Sequence, residues 1–224
     1  MRKIGRLNSV MFTDPVLLTL VQKYPQPSWQ DRTDFLFEDL VEVIISQQLS
    51  VKAADAIIKR FRALFVATPD ADLEVIQVGE TNGVPKNASL DGQLCLIPQH
   101  ILALQDEQLR AVGISRAKAR YIKGVAEAFA SGQLSIEKIK HLPDEAVMEE
   151  LIKLKGIGKW SAEMLLIFTL NRPDVFSLGD AGLRRAIKTL YQCETDAEIL
   201  RLAETWKPNR SLACWYLWKS LENS

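Results

Sequence analysis

The chain has 224 residues, enough for one large domain or two interlocked lobes, with 47% hydrophobic and 25% charged residues, the balance of a soluble globular protein. Its 28 Lys and Arg residues cancel 28 Asp and Glu residues, so no global field announces a nucleic-acid partner, and any such contact must come from local geometry. Three isolated cysteines (Cys95, Cys193, Cys214) and two histidines (His100, His141) lack the spacings of a zinc site, and the first residues hold no apolar run for a signal peptide or membrane span.

Most of the chain reads as helix. From Phe35 to Leu64 apolar residues recur at helical spacing, and Ser50 interrupts the run in position to cap a second helix starting at Val51. Thr68–Pro98 differs: Asn-Gly at Asn82, Asp-Gly at Asp91 and short apolar patches predict a loop or small hairpin inserted between helices. Helical periodicity returns over Pro98–Ala111, breaks at Gly113 and resumes through Lys118–Phe129. A short helix follows at Ser135–Ile139, then Asp144–Leu154 and, after Gly156-Ile157-Gly158, Trp160–Leu170. Further helices are predicted over Ala181–Tyr191, Asp196–Trp206 and Asn209–Leu221. The fold class is all-α with a minor irregular or β-hairpin insertion near 68–98. The expected organisation is a single domain over 1–224, with two helical lobes and the hairpin near 151–170.

The segment LIKLKGIGKWSAEMLLIF carries the most chemical information. One helix ends near Leu154, the chain turns through Gly156 and Gly158, and a second helix starts at once. Glycine tolerates positive φ and close backbone approach. The amides and dipole of the new helix's N-terminus favour an anion, and Lys155 and Lys159 flank that concavity. The geometry suits one phosphate held without regard to base identity. A bare Gly-x-Gly between helices is also an ordinary corner. The full pattern, apolar-Lys-Gly-Ile-Gly-x-x-Ser-Ala, resembles the helix-hairpin-helix motif of DNA-repair proteins. That resemblance implies a structural Na+ or K+ on the backbone carbonyls of Ile152, Leu154 and Ile157, and no other cofactor.

By itself Asp180, immediately before a helix, is a favoured N-cap. The superfamily resemblance places a catalytic aspartate there, at the start of the helix following the hairpin's second helix. Asp174, beside Pro173, reads as a turn residue. Cleavage of an N-glycosidic bond develops positive charge on the sugar, which a carboxylate stabilises while positioning water. An alkylated purine is already cationic and leaves without a strong general acid, so one carboxylate suffices. Bifunctional members of the superfamily carry a nucleophilic lysine where this chain has Trp160. Others hold an iron–sulfur cluster with four C-terminal cysteines, which three scattered cysteines cannot supply. Both absences imply a monofunctional enzyme without a cluster.

Three more segments, LVEVIISQQLSVKAADAIIKRF, VGISRAKARYIKGVAEAF and AETWKPNRSLACWYLWKSL, resemble the 3-methyladenine DNA glycosylase II family. By position Trp160 and Trp218 match aromatics lining a damaged-base pocket, where an indole face attracts a cationic ring by about 0.5–2 kcal/mol. Met164 stands where a pocket tyrosine can occur, and Ala181 where an aromatic can follow the aspartate. Gln48 matches the residue that fills the gap left by a flipped nucleotide. Ser50 is read as a cap and Leu49 as packing inward. The insertion is matched by none of these segments. The implied function is hydrolytic excision of alkylated purines, of the 3-methyladenine and 7-methylguanine type, from double-stranded DNA in base excision repair. The implied protein is an intracellular monomer, cytoplasmic or nucleoid-associated, with no membrane partner. A glycosylase for uracil, hypoxanthine or oxidised bases, and a non-catalytic helix-hairpin-helix DNA-binding protein, are the alternatives. Asp180 and the WKPxRSxA block, which a pure phosphate gripper does not need, argue against the second.

Overall fold

The computed structural model describes residues 12–65 and 96–222. The predicted insertion, apart from its last residues, and Cys95 lie outside them. In chain order the helices are α1 (Pro15–Lys23), a 3-10 turn (Thr33–Phe35), α2 (Leu36–Ser46), α3 (Val51–Ala63), α4 (Pro98–Ala103), α5 (Asp106–Ala111) and α6 (Arg116–Ala130). They continue as α7 (Ile136–His141), α8 (Asp144–Ile152), α9 (Lys159–Phe168), α10 (Ala181–Tyr191), α11 (Asp196–Glu204) and α12 (Arg210–Leu221). No strand occurs among the described residues, so the all-α class holds. Two compact units divide the chain: Asp31–Leu165, and Met1–Gln30 with Leu166–Ser224.

The Asp31–Leu165 unit is built on α2 and α6. Leu40, Val41, Ile44 and Ile45 of α2 lie at helical spacing and are buried, as are Ile122, Val125 and Ala126 of α6. Helix α6 also packs on α4, whose Ile101 is buried. Each buried Leu, Ile or Val stabilises the fold by about 1.5–3 kcal/mol relative to exposure. Serine caps set the helix starts: Ser50, Ser115 and Ser135 each accept an amide three residues on, as Ser50 was expected to do.

The second unit is organised by α1, α10 and α12 around Trp206 and Tyr216, both buried. Asp14 caps α1 through the amides of Val16 and Leu17 and also accepts from Tyr191 Oη at 2.9 Å and Trp206 Nε1 at 3.1 Å. Burial, reinforced by the bond to Asp14, pushes the Tyr191 phenol well above its ordinary value. A buried indole N–H needs such an acceptor. Leu183, Ala186 and Ile187 face this core from α10, which ends at Gln192 in the left-handed conformation, φ 59°.

Helix boundaries differ from the periodic reading where polar residues intervene. The expected Pro98–Ala111 helix is two, because Leu104 is extended and the Gln105 amide donates to Gln108 Oε1 at 2.7 Å, restarting the helix at Asp106. Helix α8 ends at Ile152 rather than Leu154, and the Leu154 amide closes a tight turn on the Leu151 carbonyl. Helix α1 was not anticipated, although Asp14-Pro15 is a helix-start signature.

Candidate functional site

In the Asp31–Leu165 unit the α8–α9 turn has the expected outline, with one correction. Only Gly156 of the two glycines has a positive φ, 95°. A Cβ there would fall 2.6 Å from the Tyr121 ring, so both conformation and space require glycine. Gly158 has neither constraint; its carbonyl accepts the Ala162 amide as α9 begins. The close approach at Gly156 is therefore to a side chain of α6, not to a backbone. Lys155 is exposed, and Lys159 Nζ lies 3.9 Å from Glu163 Oε1, one turn along α9. The dipole of α9 presents its positive end to this turn, which suits an anion. Leu154 and Ile157 are buried, Ile152 is exposed, and the Leu154 carbonyl accepts the Ile157 amide at 3.0 Å.

On α9, Trp160 is 45% exposed and Met164 is buried at 9%. Gln48 lies between α2 and α3, exposed and left-handed at φ 58°. Leu49 is 38% exposed, so the expected inward packing is wrong. The turn from Gln47 to Ser50 is too short to return its side chain to the core formed by α2. Sequence reasoning passed over the residue before Gln48. Gln47 Nε2 donates to the Gly156 carbonyl at 2.7 Å and to Ser161 Oγ at 3.2 Å. Lys118 Nζ donates to the carbonyls of Ile45 and Gln47 at 2.7 and 2.8 Å. Burial holds the Lys118 ammonium below its ordinary pKa.

In the other unit Asp180 is the N-cap of α10 and is buried at 9%. Its Oδ1 accepts the Leu183 amide at 2.7 Å and Trp218 Nε1 at 2.9 Å. The N-cap reading and the catalytic reading thus fall on one carboxylate. Trp218 also packs on Phe168, 5.5 Å between ring centroids, and Phe168 meets Trp29 edge to face at 6.2 Å. Neither Trp29 nor Phe168 was singled out from the sequence, and no motif marks them.

Asp174 is more than a turn residue. Arg210 Nε donates to its Oδ1 at 2.8 Å and Arg210 Nη2 to its Oδ2 at 3.0 Å, a bidentate pair. The neighbouring Ser211 Oγ accepts the Val175 amide at 2.9 Å and donates to the Arg172 carbonyl at 2.6 Å. The Arg-Ser of the WKPxRSxA block therefore ties down the loop that leads to Asp180. Glu42, elsewhere, is raised above its ordinary pKa by burial, partly offset by Arg62. No helix among the described residues is long and apolar enough to cross a membrane.

Residues 41–209 match the family described as HhH-GPD superfamily base excision DNA repair protein. DNA-3-methyladenine glycosylase 1 of Schizosaccharomyces pombe is 34% identical over 209 residues, 91% of this chain and 80% of that protein. A putative DNA-3-methyladenine glycosylase of Bacillus subtilis is 32% identical over 191 residues, 84% of this chain and 59% of that protein. Among solved structures, the S. pombe 3-methyladenine DNA glycosylase in complex with abasic DNA superposes with TM-score 0.74 at 30% identity, covering 94% of this chain and 93% of that one. A DNA-3-methyladenine glycosidase from Bacillus halodurans gives 0.67 at 31% identity, covering 93% and 89%. With its glycine turn, its capping aspartate and a family match that spans most of its length, the chain belongs to the HhH-GPD superfamily of base excision DNA repair proteins.

Proposed function

We propose that this protein is a monofunctional DNA glycosylase that flips alkylated purines out of duplex DNA and releases them by hydrolysis, in base excision repair. The observation that carries the reading is Asp180, a buried carboxylate fixed at the start of α10 by the Leu183 amide and the Trp218 indole. The relatives' names support 3-methyladenine as a substrate; 7-methylguanine is included in the reading because it too is a cationic alkylated purine. The solved relative bound to abasic DNA supports DNA as the partner, since an abasic site is what base loss leaves.

The chemistry follows from the carboxylate. As the bond between C1′ and the base nitrogen breaks, its electron pair leaves with the cationic base, which becomes neutral. Asp180 stabilises the oxocarbenium-like sugar and orients a water whose oxygen bonds to C1′. The water's proton passes to Asp180 or to solvent. Trp218, bonded to Asp180, offers indole surface to the damaged base; the matching aromatic position of the Asp31–Leu165 unit is Trp160, with Met164 one turn on along α9. Lys155, Gly156, Gly158 and Lys159 hold a backbone phosphate, and Gln48 fills the gap in the duplex. A Na+ or K+ would be held by the backbone carbonyls of Ile152, Leu154 and Ile157, of which that of Leu154 also accepts the Ile157 amide, and would supply positive charge at the turn. The protein acts as a monomer.

Free-base release from methylated duplex DNA tests the reading. Asp180→Asn should lower release at least about 100-fold, while affinity for an abasic duplex stays near wild type. Borohydride should trap no covalent adduct, because Trp160 replaces the lysine a Schiff base requires. Undiminished release by Asp180→Asn assigns the chemistry elsewhere, and a trapped adduct overturns the monofunctional reading.

A further inference from the structure

The phosphate-gripping turn and the Gln48 turn are far apart in sequence yet share side chains within the Asp31–Leu165 unit. Gln47 reaches across from the end of α2 to the Gly156 carbonyl and Ser161 Oγ, at 2.7 and 3.2 Å. Gly156 is the left-handed pivot of the hairpin, at φ 95°. Helix α6 presents Lys118 and Tyr121, three residues apart and so on one face, to the two turns. Lys118 Nζ holds the carbonyls of Ile45 and Gln47, and the Tyr121 ring occupies the space a side chain at position 156 would need. Both turns are thus fixed to one helix and to each other. Gln48, left-handed and exposed, sits between the residue that makes the bridge and the cap of α3.

We propose that Gln47, Lys118 and Tyr121 are positioning residues that clamp the Gln48 turn to the phosphate-gripping turn, so that gripping the backbone delivers Gln48 into the duplex. The proposal rests on the reading of Gln48 as the residue that fills the emptied stack. A phosphate held at the α9 N-terminus fixes the DNA relative to Gly156. Gln47 passes that position on through one amide, and Lys118 keeps the Gln47 peptide from rotating. Without the clamp the two turns bind independently, and ordering the Gln48 turn must then be repeated at each encounter. None of the clamp residues touches the reacting atoms.

Insertion is read without chemistry by a duplex carrying a tetrahydrofuran abasic analogue next to 2-aminopurine, whose fluorescence reports the state of the stack. Variants are Gln47→Ala, Lys118→Met and Lys118→Arg, each alone and combined with Gln48→Ala. Gln47→Ala and Lys118→Met should lose most of the binding-induced signal and about tenfold in the insertion equilibrium. Their affinity for undamaged duplex, and its salt slope, should stay near wild type because Lys155 and Lys159 are intact. Lys118→Arg keeps a donor to both carbonyls and should retain the signal. In the Gln48→Ala background the clamp substitutions should cost nothing further, since they act through Gln48. Losses that add to that of Gln48→Ala, or that fall equally on undamaged duplex with a flattened salt slope, overturn the clamp. Should Lys118→Met unfold at assay temperature, Gln47→Ala alone decides between these outcomes. Base release from methylated DNA, assayed separately, tells failure of the clamp from failure of the glycosylase reading.

Discussion

The indole N–H of Trp218 donates to Asp180 Oδ1 at 2.9 Å, the same oxygen that accepts the Leu183 amide at 2.7 Å. Two donors on one oxygen fix the plane of the carboxylate. In the proposed mechanism the tryptophan therefore bears on the reaction through its nitrogen as well as its ring. Sequence resemblance had suggested only the ring.

Trp218→Phe separates the two contributions. Phenylalanine keeps an aromatic face against Phe168 and loses the N–H. A hydrogen bond to a charged group is worth about 1.5–3 kcal/mol, so kcat should fall about 10- to 100-fold with KM changed little. Trp218→Ala should lose both and also destabilise the protein, by less than the about 3–5 kcal/mol of a fully buried tryptophan, since Trp218 is partly buried. If Trp218→Phe matches wild type in single-turnover excision, the ring alone matters and the bond to Asp180 is incidental.

Gly182→Ala tests the same arrangement from the backbone side. A Cβ at Gly182 would lie 3.1 Å from Asp180 Oδ1 and 3.3 Å from Trp218 Cδ1. Helix propensity alone favours alanine by about 1 kcal/mol. The variant should therefore hold or raise its melting temperature while excision drops, because carboxylate and indole must separate to admit the methyl group. A stable variant with undiminished kcat shows that the pair tolerates displacement of a few tenths of an ångström.

The helices were legible because buried residues follow the helical period and Ser, Asp and Gly stand at their ends. Helix α10, predicted and observed over Ala181–Tyr191, is the clearest case. Asp180 was legible as the cap of α10. What escaped was long-range polar pairing. Nothing local in the sequence shows that Arg210 grips Asp174 or that Gln47 reaches Gly156, since such partners are set by the fold and not by a period. Leu49 failed for a related reason: hydrophobicity predicts burial on average, but a short turn between two helices has one side only to offer the core.

His100 should make stability depend on pH. Its ring stacks on Phe65, with centroids 5.9 Å apart, and its Nδ1 is buried with no hydrogen-bond partner among the described residues. Burial lowers its pKa from the ordinary 6.5. The neutral ring is thus favoured in the folded state, while the unfolded chain takes up the proton first as pH falls. Stability is complete above the unfolded pKa of about 6.5 and declines as pH falls through the lower folded value. His100→Phe removes this component. Melting temperatures between about pH 7.5 and pH 5 should fall less steeply for the variant than for wild type. Parallel curves would place the acid sensitivity in other groups.

Lys155 and Lys159 flank the same turn but should not be equivalent. Each lost phosphate contact lowers the log–log slope of affinity against salt by about 0.9, so Lys155→Ala and Lys159→Ala should both flatten it. Lys159, however, also faces Glu163, whose side chain is only 5% exposed and lies 3.9 Å from the ammonium. Removing Lys159 takes one positive charge away from beside that carboxylate, near the α9 N-terminus and the proposed phosphate site. Lys159→Ala should therefore cost more affinity for duplex DNA than Lys155→Ala at low salt, with the difference shrinking as salt screens the field. Adding Glu163→Gln to Lys159→Ala should bring affinity back to the level of Lys155→Ala without restoring the slope, since no phosphate contact returns. Equal losses for the two lysine variants at every salt concentration would show that Glu163 exerts no field on the phosphate.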